Sequence, residues 1–142
     1  TAQATIWRWR EAFQYDFAAR MDWCVAESFN KANHPPLPVL NGDKSQNVLL
    51  MTAVPEEKLT FSAKGSSDPD GDAFVVNWFY YREAGTFDGE IVLSSASADE
   101  TSFITPRVTE KATIHLILQL RDQGTPNLFR YRRAIISISP TP

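Results

Sequence analysis

The spacing of apolar residues changes near residue 34 and divides the chain into two parts. Before that point, apolar residues recur at steps of three and four, which is the period of one face of a helix; they are Phe13, Phe17, Met21, Cys24 or Val25, and Phe29. A second set widens this face: Ala12, Tyr15, Ala19, Trp23 and Ala26. The pattern predicts a helix over 10–33 that ends before Pro35-Pro36. A helix so broadly apolar must be covered by another part of the protein.

After residue 35, short apolar runs alternate with Gly, Asp, Ser and Pro, which is typical of an all-β domain of about seven strands. We predict strands near 37–41, 47–53, 58–63, 73–82, 90–95, 101–105, 112–121 and 128–138. In the segment 112–121 every second residue is Ala, Ile or Leu, so one of its faces belongs to a core. The chain therefore divides into a helical segment or linker over 1–34 and a β-sandwich over 35–142.

The strand predicted over 73–82 places aromatic side chains on both of its faces. Trp78 shares a face with Phe74, Val76 and Tyr80, and we expect it to lie in the core because a Trp in a middle strand of a sandwich is usually buried. If this strand neighbours 112–121 and 128–138, the outer face of the sheet collects much apolar surface. Its members are Val75, Phe79, Tyr81, Ile117, Phe129, Tyr131 and Ile135.

Two coverings of that outer face are compatible with the sequence, and they imply different functions. The amphipathic helix can lie across it, which would make Phe79 and Tyr81 core residues. Alternatively, part of the face stays open as an aromatic strip on which sugar rings stack through their C–H faces. The candidate carbohydrate-binding residues are then Phe79, Tyr81, Phe129, Tyr131 and Asn77, with further hydrogen bonds from Gln119 and Arg133. Both coverings can hold if the helix occupies one end only.

An acidic stretch, "SSDPDGD", directly precedes the aromatic strand. Asp68, Asp70 and Asp72 stand at alternate positions and can gather around a hard cation such as Ca²⁺, with Asp122 as a fourth ligand. The spacing is not that of an EF-hand, whose sixth and twelfth positions would here be Ala73 and Phe79. A turn explains the same residues, because Pro-Asp-Gly favours a bend and Asp side chains accept from nearby backbone N–H groups. The turn is the favoured interpretation, and a calcium site is the alternative.

Composition and charge narrow the function classes. The formal charge is −3 with a pI near 5.3, which offers no general basic surface for nucleic acid. The single Cys24 excludes an internal disulfide, and the sequence contains no run of about 18 apolar residues that would span a membrane. His34 and His115 have no partner at metal-ligand spacing, and no catalytic pair or phosphate loop is present. We therefore predict a chain that is not an enzyme.

Four segments together resemble the C-terminal part of a bacterial family of secreted cellulose-binding proteins. They are "IWRWREAFQYDFAARMDWCV", "ANHPPLPVLNGD", "GSSDPDGDAFVVNWFYYREAGTFDG" and "LILQLRDQGTPNLFRYRRAIISI". In that family a nucleoside hydrolase-like domain precedes an immunoglobulin-like domain. The resemblance runs through nearly the whole chain in order.

This resemblance implies a mainly β fold, an immunoglobulin-like (PKD/cadherin-like) antiparallel β-sandwich preceded by one N-terminal α-helix. It implies that residues 1–34 are the exit from an N-terminal hydrolase-like domain, which would carry any catalysis. It also implies a secreted or periplasmic protein whose partners are that domain and a polysaccharide, cellulose or a related plant glycan. The opening "TAQATIW" has neither an initiator Met nor a signal segment, as expected for a piece of a larger protein. The alternative function is a structural sandwich that supports the hydrolase-like domain without binding sugar.

Overall fold

The computed structural model describes residues 2–140. One helix, α1, spans Ala2–Val25, and single 3-10 turns lie at Phe29–Lys31 and Arg82–Ala84. The strands are β1 (Leu49–Ala53), β2 (Lys58–Ser62), β3 (Phe74–Tyr80), β4 (Glu100–Ile104), β5 (Ala112–Asp122) and β6 (Phe129–Ile138). None of the helices in this range combines the length and apolar content that a membrane crossing requires.

The six strands form two sheets, which confirms the predicted immunoglobulin-like β-sandwich with one N-terminal helix. The larger sheet has the order β1-β6-β5-β3, and the smaller one pairs β2 with β4 in antiparallel fashion. One pairing departs from the predicted antiparallel arrangement, because β1 runs parallel to β6, with Leu49 opposite Ala134 and Ala53 opposite Ile138. Alternation along a strand indicates which face is buried but not the direction of its neighbour.

Two predicted strands are not formed. The segment 37–41 makes only isolated bridges, Leu37 with Ser67 and Leu40 with Asp43. Pro38 lies inside it and has no N–H to donate to a ladder. Residues 90–95 are irregular, and in the Ser-rich stretch that follows the hydroxyl of Ser95 accepts from the N–H groups of residues 97 and 98. Such local side-chain bonds compete with strand pairing.

The chain forms two compact units. The helical unit comprises the residues up to Leu37 together with Ser67–Val75 and Leu120–Arg130. The sandwich unit comprises Pro38–Ser66, Val76–Gln119 and the chain from Tyr131 onward. In the sandwich unit Trp78 is 1% exposed, as predicted, and its indole N–H donates to the carbonyl of Ala98 at 2.9 Å.

Helix α1 confirms the predicted helix, but its bounds and its buried face differ from the prediction. It ends at Val25, because Ser28 is extended (φ −157°, ψ 159°) and begins the separate 3-10 turn. The buried position is Ala19, whereas Phe13, Phe17 and Met21 are exposed. The helix face that the periodicity predicted to be covered is therefore open to water in the described part of the chain.

Candidate functional site

The aromatic outer face lies on the larger sheet, where β6, β5 and β3 are neighbours, as predicted. Asn77, Phe79 and Tyr81 alternate along β3 and the residue after it, and all three are half-buried. The backbone N–H of Tyr81 donates to the carbonyl of His115 at 2.8 Å, which extends the pairing one residue beyond β3. This edge of the face therefore presents two aromatic rings and one amide that remain partly open to water.

The centre of the face is closed by side chains of β5. His115 and Ile117 are buried, and Ile117 is only 3% exposed. Burial lowers the pKa of His115, and the positive charge of Arg133 lowers it further, so the imidazole is neutral at physiological pH. The face is thus filled along β5 and half-open along its flanking strands, a state between the exposed and buried alternatives of the sequence analysis.

On the other flank, β6 contributes Tyr131 and Arg133, which are both half-buried. The guanidinium carbon of Arg133 lies 6.0 Å from the centre of the Tyr81 ring, within the range of a cation–π contact. Because adjacent strands lie about 4.8 Å apart, β3 and β6 are separated by roughly 10 Å across β5. The sandwich unit therefore brings together four of the five predicted carbohydrate-binding residues: Asn77, Phe79, Tyr81 and Tyr131.

The fifth, Phe129, belongs to the helical unit. It is half-buried, and the guanidinium carbon of Arg121 lies 5.5 Å from the centre of its ring. Arg121 also forms an ion pair with Glu11 of helix α1 at 3.5 Å. The contacts of Phe129 within its own unit thus give the ring a structural role there.

The acidic corner, defined as Asp68, Asp70 and Asp72, lies in the helical unit. One carboxylate oxygen from each lies within 4.8 Å of the others. The predicted fourth ligand, Asp122, is outside this group, because its oxygens accept from the N–H groups of Leu128 (2.7 Å) and Gly124 (3.2 Å) and from the amide of Asn33 (3.0 Å). The structure therefore gathers three of the four predicted metal ligands.

Backbone hydrogen bonds hold the acidic corner as the predicted turn. Asp68 Oδ1 accepts from the N–H groups of Asp70 (2.9 Å) and Asp72 (3.2 Å), and Gly71 has a φ of +80°. Burial raises the pKa of Asp68 despite these bonds, and the charges of Asp122 and Asp70 add to the increase. Among the described residues, the buried Oδ2 of Asp68 has no hydrogen-bond partner. A proton or a cation would relieve this carboxylate.

His34 closes one side of the acidic corner, a pairing that the sequence analysis missed. Its backbone N–H donates to Asp70 Oδ2 at 2.6 Å, and its Nδ1 lies 3.1 Å from Asp70 Oδ1. The imidazole also stacks on Phe29, with ring centres 3.6 Å apart. His34 and Asp70 are 36 residues apart, so a motif search had no signal for the pair.

An open cleft of about 610 Å³ adjoins the acidic corner in the helical unit. Its lining combines the exposed ring of Phe29 with polar side chains, among them Asp22, Asn30, Asp70 and Gln123. These residues come from three separate segments, so their proximity follows from the fold and not from any spacing in the sequence. The cleft therefore brings polar groups and an aromatic ring together.

Comparisons with known proteins identify a family and one similar solved structure of a longer protein. Residues 58–138 match the family described as "Cellulose-binding protein Sde0182, C-terminal domain". The structure superposes with a TM-score of 0.90 on a nucleoside hydrolase-related hypothetical protein from Saccharophagus degradans, described as associated with carbohydrate metabolism. The two are 39% identical over 93% of this chain and 32% of that chain. The present chain thus spans about a third of the length of that protein.

Two further solved structures are similar at a lower level. A 2,6-sialyltransferase from Photobacterium sp. JT-ISH-224 gives a TM-score of 0.45 at 11% identity, covering 66% of this chain and 18% of that one. The PKD domain of the KIAA 1837 protein gives 0.44 at 18% identity, covering 67% of this chain and 84% of that domain. No curated protein sequence matches the chain.

Proposed function

Because the chain belongs to the family of the C-terminal domain of cellulose-binding protein Sde0182, we propose that it is a non-catalytic module that binds cellulose or a related glycan. The family match is the observation that carries this proposal. It spans residues 58–138, which include the whole aromatic outer face. The expectation that this chain is not an enzyme agrees with a family of binding domains.

The aromatic outer face is the surface that we assign to the glycan. Phe79 and Tyr81 on one flank and Tyr131 on the other offer half-exposed rings, and a sugar stacks its C–H face on such rings. Asn77 and Arg133 lie on the same flanks and supply hydrogen-bond donors for hydroxyl groups. The buried side chain of Ile117 lies on β5 between the two flanks, and a surface that is already ordered loses less entropy on binding.

A longer relative supports a proposal about the setting of the module. The protein from Saccharophagus degradans is about three times longer than the match, and the family is described as a C-terminal domain. We therefore propose that this chain is the C-terminal part of a longer polypeptide in which a nucleoside hydrolase-related domain comes first. Since insoluble glycans lie outside cells, such a protein would act after secretion or in the periplasm.

The test is retention of the purified chain on insoluble cellulose, with chitin and xylan as parallel matrices. Phe79→Ala and Tyr81→Ala remove the rings of one flank. Ile104→Ala is the matched control, because Ile104 is an apolar side chain 65% exposed on β4 of the smaller sheet. We expect selective retention on cellulose that both ring variants lose while folded and that the control keeps.

Two results would overturn this assignment. Retention that survives both ring variants would place the glycan elsewhere on the chain. No retention on any matrix would favour the alternative function, a structural sandwich that supports the hydrolase-related domain and binds no sugar itself. The aromatic rings would then be part of an interface between domains.

A further inference from the structure

Helix α1 exposes a long apolar face that residues 2–140 leave uncovered. This outer helix face is defined by Ile6, Phe13, Phe17 and Met21, whose side chains are 60%, 51%, 64% and 48% exposed. At 100° per residue, these four positions fall within about 80° around the helix axis. They extend over 15 residues, or roughly 22 Å at 1.5 Å per residue. The buried Ala19 lies on the opposite side.

The opposite face of α1 is already engaged within the helical unit. Asp16 Oδ1 forms an ion pair with Arg130 Nη1 at 3.4 Å, and the indole N–H of Trp23 donates to the carbonyl of Asn33 at 2.7 Å. Ala19, which lies between Asp16 and Trp23 in the sequence, is buried. This side of α1 therefore packs within its own unit. A helix that is apolar on both sides is typical of a protein interior, where a second layer covers the remaining face.

A longer relative supplies the candidate for that second layer. The family match begins at residue 58 and is described as a C-terminal domain, and the chain covers 32% of the relative, so we place the additional length on the N-terminal side. Helix α1 precedes the family match in the sequence and would lie between that match and the additional length. The exposed side chains of the outer helix face are then available to a surface within that additional length.

We propose that the outer helix face docks against the nucleoside hydrolase-related domain of the same polypeptide and makes α1 a shared element of both domains. This inference rests on the proposed two-domain arrangement and not on the assignment of the glycan to the aromatic outer face. The contact is apolar at its centre, with Phe13 and Phe17 as the anchors. Aromatic anchors at the centre of an apolar contact carry most of the energy of such interfaces.

Cys24 is a native reporter for this contact. Cys24 is exposed. It follows Met21 by three residues, and at 100° per residue it lies on the same side of the helix as Ile6. The test compares the rate at which a maleimide labels Cys24 in the 142-residue chain and in a fusion that carries the hydrolase-related part of the Saccharophagus degradans protein before residue 1. Peptide mapping identifies the labelled cysteine. Lys58→Cys, at an exposed position on β2, is the control in both proteins.

We expect labelling of Cys24 to be at least about tenfold slower in the fusion, with equal rates at position 58. A saturating amount of the separate hydrolase-related part should give the same protection, so the result does not depend on folding of the fusion. Phe13→Ser with Phe17→Ser should restore fast labelling, whereas Leu50→Ser, at an exposed position on β1, should not.

Equal labelling of Cys24 in both proteins would overturn the docking proposal. Protection in the 142-residue chain alone that grows with its concentration would also overturn it, because a second copy would then occupy the face. Retention on cellulose, measured on the same samples, reports the proposed function separately. If Cys24 is protected but the samples are not retained on cellulose, only the glycan assignment is contradicted. If the samples are retained but Cys24 is labelled equally fast in both proteins, only the docking proposal is contradicted.

Discussion

The guanidinium of Arg132 donates twice to Asp43, once to the carboxylate (Nη2 to Oδ2, 2.7 Å) and once to the backbone carbonyl (Nη1 to O, 2.7 Å). A further bond joins Nη2 to the carbonyl of Asn47 at 3.1 Å. The side chain of Arg132 is 1% exposed, whereas that of Asp43 is 40% exposed. A buried arginine of β6 thus fixes the loop that leads into β1, the strand that runs parallel to β6 in the larger sheet.

Replacing Arg132 by Met should lower the free energy of unfolding by about 2 to 3 kcal/mol, because the carbonyls of Asp43 and Asn47 lose their donors. Urea unfolding of the chain measures this loss. Arg107→Met is the matched control, since Arg107 pairs with Glu56 at an exposed position and should leave stability nearly unchanged. A loss at position 132 no larger than the control would contradict the structural role of this arginine.

Tyr81 should separate binding from stability when it is changed in two ways. The ring is half-buried beside Arg133, so Tyr81→Ala should cost about 1 to 2 kcal/mol of unfolding free energy, less than a full core truncation. Tyr81→Phe keeps the ring and should keep both stability and retention on cellulose. Denaturant melts and retention assays on the same samples decide the matter. Equal loss of retention in both variants would mean that the hydroxyl, and not stacking, makes the contact.

Asp68→Asn should stabilise the chain near neutral pH. The pKa of Asp68 is raised in the folded state, so its contribution to stability is full below the unfolded value near 3.8 and is lost as pH rises through the folded pKa. Asn retains the Oδ1 acceptor for residues 70 and 72 without the charge. Urea unfolding at about pH 3 and about pH 7 should therefore show a gain only at the higher pH.

Asp88→Asn, at an exposed position of the sandwich unit, is the control for removing one negative charge. If Asp68→Asn destabilised the chain at neutral pH while the control did not, the charge of Asp68 would be needed in the fold. That outcome would point to a bound cation at the acidic corner.

Calcium should have little effect on the melting temperature. The carboxylates of Asp68 and Asp70 already accept hydrogen bonds, from backbone N–H groups and from His34, so the turn is complete without an ion. We expect thermal melts in chelator and in millimolar calcium to agree within about 1 °C. A rise of several degrees with calcium that disappears in Asp70→Asn would establish the metal site instead.

The features that the sequence predicted correctly depend on local periodicity and turn chemistry. Alternation placed Trp78 in the core and Phe79 and Tyr81 on the other side of β3, and Pro69-Asp70-Gly71 predicted the turn. These inferences need only a few neighbouring residues. The helix was also predicted, but the side that it buries was not. Apolar residues lie on both sides of α1, so their spacing alone does not indicate which side packs inward.

The features that were missed depend on contacts between distant segments. The sequence indicated no role for Arg132, which shares a face with Ala134 and Ile136 and is buried. The sequence indicated no partner for His34, because Asp70 is distant in the sequence and only the fold brings the two side chains together. A charged side chain in a strand is usually exposed. The burial of Arg132 becomes evident only from the loop residues that accept its hydrogen bonds.

The parallel pairing of β1 with β6 also determines when the larger sheet can form during synthesis. Residues 49–53 leave the ribosome long before residues 134–138, their partners across the ladder. Because β1 is an edge strand whose neighbour in the sheet is β6, it has no ladder to join until the end of the domain has been translated. Completion of this sheet is therefore a late event, and a nascent chain stopped before residue 129 keeps β1 as an open edge that is prone to mispairing.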